Sequence, residues 1–167
     1  MTAGVEVGFS LGSNLGDKAG VIGRALDTLV ATGAVAELTV SRLYRTAPWG
    51  HVTDQDWFLN ACAVGRTTLS PEALLEACKA TERQLGRRDT VRWGPRVIDV
   101  DILYYGDLSL DTPGLTLPHR DMLNRAFVLV PLAEIQPERR IGPTTAALAA
   151  AAIGDAGITA EGRVPGR

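Results

Sequence analysis

Apolar and polar residues alternate along the first half of the chain in stretches typical of β-strands that bury one face. Three such stretches lie at residues 5–11, 38–44 and 58–67. After the first of them the apolar residues recur every third or fourth position, which is the spacing of an amphipathic helix. This helix is predicted to begin after a cap at Asp17 and to end at Gly33.

A second helix has a strong start signal in Ser70, Pro71 and Glu72, which provide a cap, a proline in the first turn and an early acid. It is predicted to end at Gly86. Its apolar stripe includes the position of Glu82, and an acid among core residues needs a partner. That partner is either a nearby arginine or a hydrogen bond to a ligand or to the backbone of the following loop.

A fourth strand, in the middle of the chain, carries two acids on one face. In the run RWGPRVIDVDILYY at residues 92–105, every second residue from Ile98 to Tyr104 is apolar, whereas Asp99 and Asp101 point the other way. Their Cα atoms should lie about 7 Å apart. Both carboxylates could then bind one divalent cation or a pair of cations. Such a pair is more often the solvated face of a strand, so the flanking residues decide between the two interpretations.

Five arginines lie near this acid pair in the sequence: Arg83, Arg87, Arg88, Arg92 and Arg96. Guanidinium groups suit bidentate contacts with phosphate. Cations that face two acids therefore indicate a magnesium-bound polyphosphate between them. The glycine-rich segment at residues 12–16 lacks the lysine of a P-loop and is interpreted as a structural turn or a mobile loop at the edge of the site.

The last third of the chain predicts shorter elements. Gly106 and Asp107 indicate a hairpin turn before a short strand at residues 108–110, and the apolar segment at 127–132 is expected to be buried. An alanine-rich helix is predicted from Thr144, followed by a loose tail without a recognisable motif.

The composition is that of an ordinary soluble globular domain: 167 residues, of which 46% are hydrophobic and 22% charged. The formal net charge of −2 offers no overall attraction to nucleic acid or to an anionic membrane. No apolar run approaches the roughly 20 residues of a membrane helix, and the protein is expected to be cytoplasmic. Cys62 and Cys78 are expected to be reduced core residues.

All three tryptophans, Trp49, Trp57 and Trp93, fall in predicted connections rather than in periodic segments. Such indoles are more often packed against the protein body, but flat rings near a polyphosphate site could also stack on a flat ligand. His119 lies close to two arginines and could contact phosphate or ribose, although a histidine after proline more often has a structural role.

Five motifs, taken together and in order, point to one family. They are GSNLGD at residues 12–17, YRTAPWG at 44–50, FLNA at 58–61, RWGPRVIDVDI at 92–102 and LPHRDMLNRAF at 117–127. With them the sequence resembles 6-hydroxymethyl-7,8-dihydropterin pyrophosphokinase of folate biosynthesis, over about residues 5–138. The part from residue 144 to 167 is assigned to the C-terminal helix and tail of the same single domain.

The resemblance implies a ferredoxin-like α+β fold, with helices packed on an antiparallel sheet. It implies transfer of the β,γ-diphosphate of ATP to the hydroxymethyl oxygen of the pterin, with release of AMP. Two Mg²⁺ ions are implied at Asp99 and Asp101, with ATP as co-substrate. The expected partners are therefore these small molecules, without nucleic acid or membrane, and the protein is expected to be a monomer.

The resemblance also implies roles for individual residues. On the pterin side it places Thr46, Pro48, Trp49, Asn60 and Trp93, with the pterin between Phe58 and Phe127. On the nucleotide side it places Glu82, Arg88, Trp93, Arg96, Ile102, Thr116, His119 and Arg125. The implied catalytic set is Arg87, Arg96, Asp99 and Asp101. Arg120 and Gly114 stand where some members have a tyrosine and an arginine.

Two other protein classes share parts of this pattern. Nucleotidyltransferases also combine a Gly-Ser turn with a D-x-D strand, but there the turn lies close before the acids, whereas Gly12 and Ser13 precede Asp99 by half the chain. A ferredoxin-like RNA-binding module would display stacking aromatic residues on its open sheet face, and this strand displays aspartates. Both comparisons favour the pyrophosphokinase interpretation.

Overall fold

The structure, a computed structural model, describes residues 4–46, 57–86 and 97–167. The first two-thirds of the chain form two strand–helix–strand units. Their elements are β1 (Val5–Ser13), α1 (Lys18–Ala31), β2 (Ala36–Val40), β3 (Arg42–Thr46), β4 (Phe58–Thr67), α2 (Pro71–Gln84) and β5 (Asp99–Tyr105).

The last third adds two small hairpins, two helices and a terminal strand. These elements are β6 (Leu110–Asp111), β7 (Thr116–Leu117), a 3₁₀ turn (Met122–Asn124), α3 (Ala126–Ile135), β8 (Arg140–Ile141), β9 (Thr144–Thr145), α4 (Ala146–Ile153) and β10 (Ile158–Arg163). No helix in the described part of the chain is long and apolar enough to cross a membrane.

The main sheet is antiparallel, with the strand order β10–β3–β4–β1–β5 and with β2 paired to β4. The two units interleave, because β1 lies between β4 and β5. This is the order of a ferredoxin-like α+β fold, as the resemblance implied.

Helices cover both faces of this sheet. On one face α1 and α2 bury a core cluster that includes Phe9, Leu26 and Ile98. On the other face α3 and α4 bury a second cluster that includes Cys62 and Leu129. The predicted helix starts are confirmed: the Asp17 carboxylate accepts a hydrogen bond from the Gly20 amide (3.2 Å), and Ser70 caps α2 in the same way.

The strand predicted at residues 38–44 is divided into β2 and β3 around Ser41. The Ser41 hydroxyl accepts a hydrogen bond from the Cys62 amide at 2.9 Å, in place of a backbone carbonyl. On β4, Val40 pairs with Ala63 and Tyr44 pairs with Asn60, so the register slips by one residue between the two strands. The pattern of residue types cannot show this slip, because a bulge inserts a residue without ending the strand.

Tyr104 does not share a face with Ile102, contrary to the alternation prediction. In β5 the pairing with β1 shifts at Leu103, and this bulge turns Tyr104 into the second core cluster. The ring of Tyr104 lies directly over Gly8, where an added Cβ would be 2.4 Å from a ring carbon. Its hydroxyl donates a hydrogen bond to Glu6 at 2.7 Å, so packing and a polar partner together favour the bulge.

The turn predicted at Gly106 and Asp107 is confirmed, since the Leu108 amide donates a hydrogen bond to the Tyr105 carbonyl at 3.0 Å, but this turn does not form a hairpin. The Gly106 amide bonds to the Glu6 carbonyl at 2.7 Å, and β6 pairs with β7 rather than with β5. The segment predicted to be a loose tail also differs, because it contains β10, which pairs with the edge of β3. After it Val164 is buried in the first core cluster, so the end of the chain is packed against the domain.

Candidate active site

The register of three adjacent strands aligns polar residues across one face of the sheet. Asp99 in β5 pairs with Gly12 in β1, and Gly12 pairs with Asn60 in β4. Paired residues point to the same face, and neighbouring strands lie about 4.8 Å apart. Asp99 and Asn60 are thus about 10 Å apart, with only a glycine between them.

Gly12 lies in the middle of this row, a position that its motif did not predict. A Cβ at this position would lie 2.8 Å from Oδ1 of Asn60, so the amide leans over the glycine. The Nδ2 atom of Asn60 donates a hydrogen bond to the Thr46 hydroxyl at 2.9 Å, and both residues are buried. The glycine-rich segment was predicted to be a turn, but β1 continues through Ser13. That continuation places Gly12 on the sheet.

The predicted pterin residues of the described chain meet at the end of this row. Thr46 in β3 pairs with Phe58 in β4, one step from Asn60 along the same face. Phe127 lies in the first turn of α3, which packs on that face through the second core cluster. The fold therefore brings Thr46, Phe58 and Asn60 together and places Phe127 in the helix above them.

The acid pair lies on the same face, at the edge strand β5. Asp99 and Asp101 are half-buried, while Val100 between them is 4% exposed and packs in the first core cluster. The alternation predicted for this strand is therefore confirmed between Ile98 and Ile102. Within residues 4–46, 57–86 and 97–167 there is no group of three or more His, Cys, Asp or Glu side chains that could hold a metal. A cation at this strand would take its carboxylates from the pair.

Glu82 supports the backbone between the two acids. Glu82 is 6% exposed, and its carboxylate accepts a hydrogen bond from the Val100 amide at 2.7 Å. Because this amide points to α2, it points away from the β1 ladder. The sequence left the partner of Glu82 open between an arginine, a ligand and the loop backbone. The hydrogen bond from Val100 is a backbone contact, but this backbone belongs to the strand that carries the two acids and not to the loop after α2.

A cleft of about 380 Å³ opens beyond the outer edge of β5. Its walls come from α2, from β5 and from the segment around β7. Its lining residues include Lys79, Asp101, Ile102, Thr116, His119 and Arg120. Three residues predicted for the nucleotide side, Ile102, Thr116 and His119, thus share one cleft with Asp101, whereas Arg125 is not among its lining residues.

The ring of His119 has a defined orientation. Its Nδ1 atom accepts a hydrogen bond from the Asp121 amide at 3.1 Å, so the neutral ring carries its proton on Nε2. Burial lowers the pKa of His119 from its ordinary value, and the nearby Arg125 and Arg120 lower it further against the opposing effect of Asp121. His119 is therefore a neutral Nε2–H donor at pH 7.

This pKa shift predicts how stability depends on pH. Since the pKa of His119 is lower in the folded protein than in the unfolded chain, the unfolded chain takes up the proton first as pH falls below about 6.5. The free energy of unfolding is therefore highest above about pH 6.5, and it decreases as pH falls toward the pKa of His119 in the folded protein. His119→Gln should therefore lose less stability than the wild type between pH 7.5 and 5.5, as measured by urea unfolding. Equal losses in the two proteins would contradict the prediction.

A family model for 7,8-dihydro-6-hydroxymethylpterin-pyrophosphokinase (HPPK) matches residues 8–137. The chain belongs to the HPPK family. It is therefore an ATP-dependent pyrophosphokinase by family membership. The matched region contains the acid pair and the row formed by Gly12, Asn60, Thr46 and Phe58, and it ends before α4 and β10.

Similar curated proteins carry the same family name. A 2-amino-4-hydroxy-6-hydroxymethyldihydropteridine pyrophosphokinase from Methylorubrum extorquens is 50% identical over 150 residues, which cover 90% of this chain and 94% of that protein. The Pseudomonas aeruginosa enzyme of the same name is 43% identical over 136 residues, covering 81% and 83%. A mitochondrial folate synthesis bifunctional protein from Arabidopsis thaliana is 44% identical over 130 residues, which cover 78% of this chain but only 23% of that protein.

Solved HPPK-DHPS structures share the fold. Wild-type Plasmodium falciparum HPPK-DHPS with pteroate matches 91% of this chain with a TM-score of 0.71 at 16% identity. An HPPK-DHPS structure in complex with substrates matches 90% of this chain with a TM-score of 0.68 at 15% identity. The chain spans 43% of each of these two solved chains.

Several residues that the HPPK resemblance implied lie outside the described part of the chain: Pro48, Trp49, Arg87, Arg88, Trp93 and Arg96. Both cysteines are free and buried, as predicted, and burial raises the pKa of Cys78 to about 12. Trp57 is half-buried against the first core cluster, which agrees with the packing alternative for this indole.

Proposed function

We propose that the protein transfers the β,γ-diphosphate of ATP to the hydroxymethyl oxygen of 6-hydroxymethyl-7,8-dihydropterin and releases AMP. One observation carries this proposal: the acid pair lies between a cleft and a row of polar residues on the sheet. The cleft lies outside β5, and the row formed by Gly12, Asn60 and Phe58 lies on the inner side. A group transferred between two substrates would pass the acids.

The cleft is proposed to bind the nucleotide. Lys79, Arg120 and the Nε2–H of His119 offer donors to phosphate oxygens, and Ile102 offers an apolar wall. Asp101 lies in the same lining, so phosphates held there would reach the acid pair. Arg125 is proposed to act from the rim, where its guanidinium lies 3.5 Å from Asp121.

The acid pair fits the magnesium that this chemistry needs. Mg²⁺ prefers oxygen ligands and is usually held by one or two carboxylates, with phosphates and water completing its shell. Asp99 and Asp101 provide two carboxylates on one strand face. When two Mg²⁺ ions are bound, they supply charge stabilisation to the attacking and leaving oxygens.

The row formed by Gly12, Asn60, Thr46 and Phe58 is proposed to hold the pterin, and we call it the acceptor row. A flat heterocycle with polar edges suits a site that combines an aromatic ring with polar groups of fixed orientation. Phe58 provides the ring, and the hydrogen bond between Asn60 and Thr46 fixes the orientation of the amide. Phe127 is proposed to cover the other side of the pterin. Both regions belong to one chain, so the proposal requires no second copy.

Positioning is proposed to dominate the chemistry. Apart from the two aspartates, the row of Gly12, Asn60, Thr46 and Phe58 contains no side chain that could act as a strong base. Holding the acceptor hydroxyl in line with the bond between the β-phosphorus and the oxygen that bridges to the α-phosphate can lower the barrier by ~7 to 11 kcal/mol. Catalysis then comes from alignment and charge stabilisation.

The products test this geometry directly. Incubation with γ-labelled ATP, magnesium and 6-hydroxymethyl-7,8-dihydropterin should place the label on a pterin diphosphate and yield one AMP for each labelled product. A 6-methyl analogue, which lacks the acceptor hydroxyl, is the control and should yield no AMP above background. Formation of ADP with a pterin monophosphate would overturn the proposal, because attack would then have occurred at the γ-phosphorus.

A further inference from the structure

Two cations lie over the indole ring of Trp57, the residue immediately before β4. The Lys18 Nζ atom is 3.6 Å from the ring centroid, and the Arg45 Cζ atom is 4.2 Å from it. Cation–π contacts at such distances favour one position of the ring. We call Trp57, Lys18 and Arg45 the indole clamp. It connects the start of α1, the end of β3 and the start of β4.

The indole clamp lies on the opposite side of the sheet from the acceptor row. Trp57 packs against the first core cluster, under the face that α1 and α2 cover. Successive residues of a strand point to opposite faces, so the next residue, Phe58, points to the acceptor side. Phe58 pairs there with Thr46. Any shift of Trp57 would therefore move Phe58 and, two residues later, Asn60.

The Arg45 side of the clamp is held from both neighbouring strands. Arg45 pairs with Leu59 in β4 and with Thr159 in β10, and its guanidinium lies 3.9 Å from Glu161. The strand β10 lies beyond residues 8–137, the part that the family model matches. Its end is fixed by the buried Val164. The C-terminal segment thus supports β3, which would otherwise end the sheet on this side.

We propose that the indole clamp positions Phe58 and Asn60 for the pterin, with Trp57 as its central positioning residue. The inference rests on the proposed function, since it assumes that the acceptor binds at this row. Trp57 itself acts through the strand and not by touching the substrate. In the sheet, β1 lies between β4 and β5, the strand that borders the cleft, so loss of the clamp should affect the acceptor side alone.

Steady-state kinetics with each substrate varied in turn test this inference. Trp57→Ala should raise the KM for the hydroxymethyl pterin by about tenfold, because small misplacements of binding groups have effects of this order or larger. The KM for ATP should stay within about twofold, whereas kcat should also fall, because the acceptor hydroxyl is then less well aligned with the phosphate. Trp57→Phe keeps an aromatic ring for the cations and should recover most of the loss.

The cations provide matched variants. Lys18→Met and Arg45→Met should each raise the pterin KM by roughly threefold, since each leaves one cation over the ring. Arg24→Met is the control, because Arg24 is an exposed cation on α1 that pairs with Asp17. It should leave both KM values unchanged. Thermal unfolding midpoints of all variants identify any loss of fold.

The outcomes separate this inference from the proposed function. If the wild type consumes the pterin and releases AMP but Trp57→Ala has an unchanged pterin KM, the clamp is only structural and the inference is overturned. An equal rise in both KM values would overturn it as well. If the wild type does not act on the pterin at all, the proposed function fails first.

Discussion

Replacing Asp101 with asparagine is expected to lower kcat by about a thousandfold, since a metal-bound carboxylate supplies several kcal/mol of charge stabilisation. Asp99→Asn should have an effect of the same order. Each change keeps the size of the side chain and removes one charge from a half-buried strand face. The measurement is single-turnover kinetics with saturating ATP, pterin and magnesium.

The fold should survive both substitutions. The free energy of unfolding without magnesium is expected to change by less than about 1 kcal/mol, because neither change creates a cavity. Asp155→Asn, at an exposed position between α4 and β10, is the matched control and should keep wild-type activity. Near wild-type turnover of either active-site variant at saturating magnesium would remove the acid pair from the proposed mechanism.

Glu82→Ala is expected to reduce kcat by roughly ten- to a hundredfold, although Glu82 is proposed here to act through the strand. The change leaves the buried Val100 amide without this acceptor, which costs about 1 to 3 kcal/mol. That amide lies between the two aspartates, so their positions become less well defined. Activity measured as a function of magnesium concentration should show a higher requirement than in the wild type.

Glu82→Gln separates positioning from charge. Its side-chain carbonyl can still accept the hydrogen bond from the Val100 amide, so most of the activity and the normal magnesium dependence should return. Glu76→Gln, an exposed acid on the same helix that pairs with Arg83, is the control. If both Glu82 variants raised the KM for ATP equally and left the magnesium dependence unchanged, a direct nucleotide contact would explain Glu82 better.

Local signals predicted the helices and the acid-bearing strand well. The caps at Asp17 and Ser70 and the glycines at the helix ends act within a few residues, so the sequence near each end contains the necessary information. The alternation around Val100 is equally local, because a strand with one face in the core needs an apolar residue at every second position.

The predictions from the sequence were wrong where the partner of a residue lies far away in the chain. The bulge at Leu103 depends on the packing of Tyr104 over Gly8, and the division at Ser41 depends on the Cys62 amide. The tail was predicted to be loose because its own residues show no motif. Its strand exists because the edge of β3 offers unpaired backbone groups.

The amino-acid sequence by itself determined the family, most of the main elements and the pair of acids on one strand face, because these depend on motifs and on local periodicity. Only the tertiary structure decided that Gly12 lies between Asp99 and Asn60, that Glu82 supports the backbone of Val100 and that Trp57 meets two cations. Each of these contacts joins segments that are distant in sequence. Their geometry follows from strand register and helix packing, which no single segment specifies.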